Sequence, residues 1–297
     1  MVDIFSLNLP TIVATLVVRD EDDILESMLT HTLSEGVSRI FVTDNASKDK
    51  TPQILQKFPE VSVEFSDDMT HNQEIHTTRM AREACKTNPD WIVHLDADEF
   101  WCGFPNLHNN YPSETLWCTS VFIHPPVPGI KTASLEKMRR YIDFHGHARE
   151  FKVIHRPDPN IVIKHGNHGI KDRSMELCPE ITRHHYPIRS LEQFTRKVYQ
   201  GANALKARKF VCERWYLWLE ELESGNLVNL YDLISSHWEQ YQPGDHPPES
   251  FLKDVLEKAY KVMPDTAKDI FKGLHEEEKS AVIQEWIPPS YRPKRIF

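Results

Sequence analysis

The segment Trp91-Ile92-Val93-His94-Leu95-Asp96-Ala97-Asp98-Glu99-Phe100 runs from an apolar stretch directly into a group of carboxylates. In extended backbone, side chains at i and i+2 share a side. Asp96 and Asp98 would therefore face the same way where the strand ends. Oxygen ligands of this kind suit Mg²⁺ or Mn²⁺, ions that keep positions open for phosphate oxygens and water. The chemistry expected of such a pair is the handling of a diphosphate through a divalent cation. Other strand-like runs also end on acids, at Arg19-Asp20, Asp44-Asn45 and Ser66-Asp67-Asp68.

A second concentration of chemistry lies downstream. Seven of the 16 histidines (His145, His147, His155, His165, His168, His184, His185) fall between residues 145 and 185. Arg139-Arg140, Arg149 and Lys152 add cations to the same stretch, and a guanidinium fork matches phosphate oxygens. Ser190-Leu191-Glu192-Gln193 has the pattern of a helix capping box, with Ser at the N-cap and Gln at N3. His185 and Arg189 would then lie in the loop that leads into that helix, placed to cover donor phosphates. Arg79, on a polar helix over Thr70 to Lys86, is a further candidate for the diphosphate. The HNQEIHTTR stretch of that helix spaces His71 and His76 five apart, so the HExxH pattern of zinc peptidases is absent.

These residues need a scaffold that brings them together, and the hydrophobic pattern supplies one. Ile12 to Val18 (IVATLVV) is β-branched without helical period and reads as a strand buried on both faces. Ile24, Leu25, Met28, Leu29 and Leu33 recur at helical spacing up to Gly36. Arg39 to Thr43 (RIFVT) is a second strand, Thr51 to Phe58 a helix, Val61 to Phe65 a third strand, and Trp91 to Leu95 a fourth. Alternation of this kind means βαβ units and a mostly parallel sheet flanked by helices, with ligands at the carboxyl ends of the strands. Strand-like pieces continue at Leu116 to Ile123 and Phe151 to Ile154. From Ser190 onward the chain reads as helical, with the aromatics Trp215, Tyr216, Trp218, Trp238 and Tyr241 suited to packing between helices. A soft boundary near Gly201 separates a domain over residues 1–200 from a helical C-terminal extension over residues 201–297.

Composition removes several classes of function. The chain has 297 residues, 40% hydrophobic and 27% charged, which fits a soluble globular protein rather than a disordered or fibrous one. Lys plus Arg number 35 against 44 Asp plus Glu, a net charge of -9, which argues against nucleic acid as a partner. The five cysteines form no CxxC pair, so neither a disulfide framework nor a zinc knuckle is indicated. The N-terminus has no basic leader, and no apolar run approaches the roughly 18 residues of a membrane span. A cytoplasmic location is the expectation.

The opening IVATLVVRDEDDILESMLTHTLSEGVSRIFVTDNASKDKT, the DADEF segment and the stretch His184-His185-Tyr186-Pro187-Ile188-Arg189-Ser190-Leu191-Glu192-Gln193-Phe194-Thr195-Arg196-Lys197 together resemble the GT-A-fold glycosyltransferases of the family 2 kind, over about residues 11 to 200. The resemblance implies a GT-A-like α/β fold and a nucleotide-sugar donor whose sugar passes to a glycan or other hydroxyl acceptor. It implies Asp44 near the base or ribose, Asp96 near the ribose and metal, and Asp98 as direct ligand of Mn²⁺ or Mg²⁺. His168, in Lys164-His165-Gly166-Asn167-His168-Gly169, would complete the metal site, with His165 as the alternative. Thr15, Arg19, Arg79, Arg149, Lys152, His185 and Arg189 join the donor-binding set. An inverting enzyme also needs a carboxylate base for the acceptor hydroxyl. The candidates are Glu150, Asp143 and Asp172, with Glu99 a weaker fourth, and Glu150 is favoured. Competing readings are a metal-dependent hydrolase using the His-rich segment, a nucleotidyltransferase, and a non-catalytic relative that binds sugar nucleotides. No glycine-rich phosphate loop follows the first strand, which disfavours the nucleotidyltransferase.

Overall fold

The computed structural model describes residues 9–67, 72–107, 111, 113–124, 126–127, 135–138, 142–143, 151–208 and 213–238. The chain divides into two compact units, one formed by residues 1–68, 72–120 and 150–184, the other by residues 69–71, 121–149 and 185–297. Gly201, the expected soft boundary, lies inside a helix that spans Leu191–Arg208.

In the first unit, β1 (Ile12–Val18) is followed by α1 (Leu25–Ser34), β2 (Val37–Asn45), α2 (Thr51–Leu55), β3 (Val61–Ser66), α3 (Gln73–Cys85) and β4 (Trp91–Leu95). Each element falls where its periodicity puts it. β1 and β4 are apolar apart from Thr15 and His94 because both of their faces are covered, and every residue of β4 is buried. β3, β2, β1 and β4 run parallel, with Thr15 opposite His94 and Val18 opposite Asp44. The fold class is α/β, as expected.

Beyond β4 the sheet changes character. β5 (Glu99–Cys102), β6 (Thr115–Ile123), β8 (Lys152–His155) and β9 (Glu176–His185) extend it in the order β3-β2-β1-β4-β8-β6-β9-β5. β8 is antiparallel to β4 and to β6. A short β7 (Ile142–Asp143) pairs with Phe122 and Ile123, completing a mixed sheet of nine strands among the described residues. The core of the first unit is built on Ile12, Leu16, Met28, Leu29, Trp91, Trp101 and Phe104, all at most 2% exposed. Full burial of a side chain of this size contributes about 1.5 to 3 kcal/mol.

The second unit carries α4 (Leu191–Arg208), α5 (Glu213–Glu223) and α6 (Leu227–Trp238). Phe194, Val198, Trp218, Leu219 and Tyr231 form their shared core, and the Phe194 and Trp218 rings meet edge to face at 5.1 Å. α4 begins as the capping pattern predicts. Ser190 Oγ accepts the Gln193 N–H at 3.1 Å. The Gln193 side chain accepts from the Arg189 N–H, one residue before the cap, at 3.1 Å. No helix among the described residues is long and apolar enough to cross a membrane.

Candidate active site

The carboxyl ends of β1 and β2 are bound to each other by their own loops. Asp20 takes a left-handed backbone (φ 52°), a conformation short polar residues tolerate best. Its Oδ1 accepts the N–H groups of Lys48 at 2.6 Å and Asp49 at 3.3 Å. In return Ser47 Oγ, Thr51 Oγ1 and Asp49 Oδ2 accept the N–H groups of Asp20, Glu21 and Asp22 at 2.9 to 3.0 Å. Burial acts to raise the Asp49 carboxyl, but the hydrogen bonds from Thr51 and Asp22 outweigh it and hold it low. Asp44, 3% exposed, accepts the Ser47 N–H at 3.0 Å. Arg19 lies 3.8 Å from Asp20.

At the end of β4, Asp96 is an acceptor for a converging set of donors. Lys152 from β8 pairs with its Oδ2, while Gln73 from the start of α3 (2.9 Å) and Asn167 (3.1 Å) donate to Oδ1. Lys152 also donates to the Gly166 carbonyl at 2.7 Å and lies 3.8 Å from Glu99. Its side chain is 4% exposed. Burial by itself lowers the Lys152 ammonium, yet the carboxylates of Asp96 and Glu99 prevail and hold it above its ordinary value. Lys152, expected as a contact for the diphosphate, is thus a buried counter-ion of the acidic strand end.

Glu99 continues this network inward. One of its oxygens pairs with Arg183 of β9 at 2.5 Å, the other accepts the Trp101 indole N–H at 3.2 Å, and both charged side chains are at most 1% exposed. This engagement leaves Glu99 poorly placed to serve as a base. Asp98, between the two, is 7% exposed.

His168 donates through Nδ1 to the Phe151 carbonyl at 2.8 Å, which leaves Nε2 with its lone pair. Burial, and then the Lys152 charge, lower its imidazolium, although by surface area the residue is exposed. Nε2 faces Gly166 so closely that a Cβ there would meet it at 2.6 Å. His165 is exposed and bonds Glu74 at 3.1 Å. Two buried amide oxygens at this end of the sheet, Asn45 Oδ1 and Asn167 Oδ1, have no hydrogen-bond partner among the described residues. The Asn167 amide orientation is fixed, since its Nδ2 must face the Asp96 carboxylate.

Other expected residues lie elsewhere. Thr15 is 1% exposed within the sheet. The His155 Nδ1–H donates to the Arg156 carbonyl (2.6 Å), so His155 Nε2 must accept from His94 Nε2–H (3.0 Å), and His94 Nδ1 from the Thr15 hydroxyl (2.7 Å). Both imidazoles are therefore neutral. Burial drives His94 well below its usual range, helped by the nearness of His155 and Lys152, which disfavours a further positive charge there, and drives His155 down to about 4. Arg79 pairs with Glu64 and donates to Thr43 at 3.3 Å. Asp172 sits exposed at a left-handed turn (φ 56°). In the second unit, Arg189 is fully buried and donates to the Tyr186 carbonyl at 3.0 Å. The His185 carbonyl accepts the His124 N–H at 2.8 Å, and Asp143 lies on β7. Arg139, Arg140, Arg149 and Glu150 lie outside the described residues, as do His71, His145 and His147.

The neutral histidine pair makes stability depend on pH. The His155 imidazole titrates near 6.5 when unfolded and near 4 when folded. Between those values the unfolded chain holds the extra proton, so stability is complete above about 6.5 and falls as the pH drops toward 4. For His155 that amounts to about 3 kcal/mol. Urea unfolding at about pH 7.5 and about pH 5 should show this slope, and His155→Gln should flatten it.

Sequence reasoning did not single out Gln73, Asn167 or Asn45. Asn45 adjoins Asp44 and Asn167 adjoins His168, so position beside a suspected ligand was the available signal. No side chains of Asp96, Asp98 and His168 form a three-ligand cluster; among the described residues, the trio whose ligand atoms all lie within 4.8 Å of one another is His31, Glu35 and Cys102.

No family model matches the chain, and no curated protein matches it. Among solved structures, S. aureus TarS 1–349 is similar over 77% of this chain and 91% of its own, at 9% identity and a TM-score of 0.41. The same fragment in complex with UDP is similar over 95% and 89%, at 11% identity and 0.41. A 4-diphosphocytidyl-2C-methyl-D-erythritol synthase is similar over 50% and 76%, at 13% identity and 0.30.

Proposed function

We propose that the chain is a metal-dependent, inverting glycosyltransferase of the family 2 kind, taking a sugar from a nucleotide-sugar donor to a glycan or other hydroxyl acceptor. The observation that carries this reading is the pair of buried amide oxygens without a donor, Asn45 Oδ1 next to Asp44 and Asn167 Oδ1 on the side chain that bonds Asp96. A buried acceptor left without a donor costs about 1 to 3 kcal/mol. The hydroxyls of a ribose or hexose would supply those donors, beside Asp44 for the nucleoside and Asp96 for the sugar.

The residues present fit a divalent ion in part. His168 has the arrangement of a metal-ligating imidazole, one nitrogen donating to a backbone carbonyl and the other free to bind. Asp98 supplies a buried carboxylate. Asp96 already has Lys152 as its cation, so it is better suited to hold position than to ligate. The remaining positions would fall to diphosphate oxygens and water, as Mn²⁺ and Mg²⁺ prefer. When bound, the ion stabilises charge on the leaving diphosphate. Lys152, Gln73 and Asn167 fix Asp96, and Arg19 and the joined loops around Asp20 and Asp44 frame the donor. His185, Arg189, Arg79 and Arg149 are further proposed donor contacts.

The base is proposed to be Glu150, with Asp143 and Asp172 as alternatives. Glu150→Gln should then lower kcat by a factor of about 10² to 10⁴ and leave donor affinity unchanged; a parallel loss of affinity would assign Glu150 to binding. The reading as a whole is tested by calorimetry with UDP-, GDP-, CDP- and TDP-sugars, with and without Mn²⁺. Binding of one nucleotide sugar, strengthened by Mn²⁺, is the expected result, and failure of all of them to bind would overturn it.

A further inference from the structure

The C-terminal end of α1 carries a group of side chains that the donor reading does not use. His31 and Glu35 are one helical turn apart and share a face. Cys102, at the end of β5, comes to the same place, with its Sγ 3.7 Å from His31 Nε2. The ligand atoms of these three side chains all lie within 4.8 Å of one another, and all three are half-buried. We propose that His31, Glu35 and Cys102 form a zinc site that ties the end of α1 to β5.

Several independent features support this assignment. In a tetrahedral zinc site, sulfur lies at about 2.3 Å and imidazole nitrogen at about 2.0 to 2.1 Å, which sets the two ligand atoms about 3.6 Å apart. The observed separation of Sγ and Nε2 matches that spacing. A set of one thiolate, one imidazole and one carboxylate also selects zinc over Mg²⁺ or Mn²⁺, which prefer oxygen throughout.

The local field favours a cation as well. Glu35 is the C-cap of α1, where the helix presents its negative end and a carboxylate is misplaced. One of its oxygens is already held in position, accepting the Gly103 N–H at 2.8 Å. The other can turn to an ion. A cation there neutralises both the carboxylate and the terminal carbonyls.

The remaining position of the ion would fall to water. In the metal-free chain, the His31 Nε2–H donates to the Trp101 carbonyl at 2.8 Å. On binding, that proton moves to Nδ1, the thiol proton of Cys102 passes to solvent, and Nε2 and the thiolate coordinate the ion. No electron changes hands. The site is separate from Asp98 and His168 and does not depend on the glycosyltransferase reading.

The test is a titration of the full chain, stripped of metal, with Co²⁺. The expected result is a sulfur-to-cobalt charge-transfer band that saturates at one ion per chain, is lost in Cys102→Ser, and bleaches when Zn²⁺ is added. An ion held by Asp98 and His168 has no sulfur ligand and gives no such band. Glu35→Gln should weaken binding at least about tenfold, the loss that even supporting partners of a metal site cause. Absence of the band in the wild-type chain, or its persistence in Cys102→Ser, would overturn the proposal. If Cys102→Ser does not fold, alkylation of the wild-type chain decides. Zn²⁺ should protect the Cys102 peptide, and an unchanged labelling rate there would refute the site.

Discussion

Alanine in place of Glu99 is expected to lower the unfolding free energy by about 3 to 5 kcal/mol, the usual cost of removing one partner of a buried ion pair. Glu99 and Arg183 are both essentially inaccessible to water, so the Arg183 guanidinium would lose a carboxylate at a place where solvent cannot stand in for it. Lys152 would lose its second acid and retain only Asp96. The Trp101 N–H would lose its acceptor too. Urea unfolding at neutral pH measures the effect. A loss under about 1 kcal/mol would mean that water reaches Arg183 once the carboxylate is gone, as at exposed pairs. The double variant Glu99→Met, Arg183→Met should recover part of the loss, because replacing both members of a buried pair by apolar groups is often neutral.

The second large effect concerns activity rather than stability. If Asp98 holds the divalent ion, Asp98→Ala should reduce sugar transfer about a thousandfold, the several kcal/mol that a Lewis-acidic ion supplies to the leaving group. The fold should survive, since Asp98 lies in the turn between β4 and β5 rather than within either strand. Transfer rates followed across a Mn²⁺ titration, with circular dichroism as the control for folding, give the comparison. Wild-type rates in Asp98→Ala, or in the native chain with its Mn²⁺ chelated, would remove the metal from the mechanism. The expected contrast between neighbours is that loss of Glu99 shows in folding and loss of Asp98 in transfer.

Much of the parallel part of the sheet was legible in the sequence. IVATLVV and WIVHL can be buried on both faces only in the middle of a sheet, and the helical spacing from Ile24 to Leu33 ends at a glycine as α1 does. β5 and β9 were not read. EFWC is too short to show a period, and ELCPEITRHH mixes a proline and charges with few apolar positions, its place being set by pairing with distant strands rather than by its own pattern. Lys152 reads from its neighbours as a cation for the diphosphate, and nothing local announces that Asp96 and Glu99, more than fifty residues earlier, will enclose it. Thr15 is similar: its hydroxyl is committed to His94 because of strand register, a property of the pair and not of either segment. His31 and Glu35 are an i, i+4 pair on α1, and Cys102 joins them only through the fold.

The hydrogen bonds that join the loops after β1 and β2 have a consequence for recognition. Asp20, Asp22, Ser47, Asp49 and Thr51 exchange bonds across the two loops, so neither loop can rearrange without the other. A molecule arriving there meets a rim whose shape was settled when the chain folded. Little of its affinity is lost to immobilising backbone. Selectivity at this rim then comes from rigid fit, and small changes in ligand outline should be penalised more heavily than an adaptable loop would penalise them.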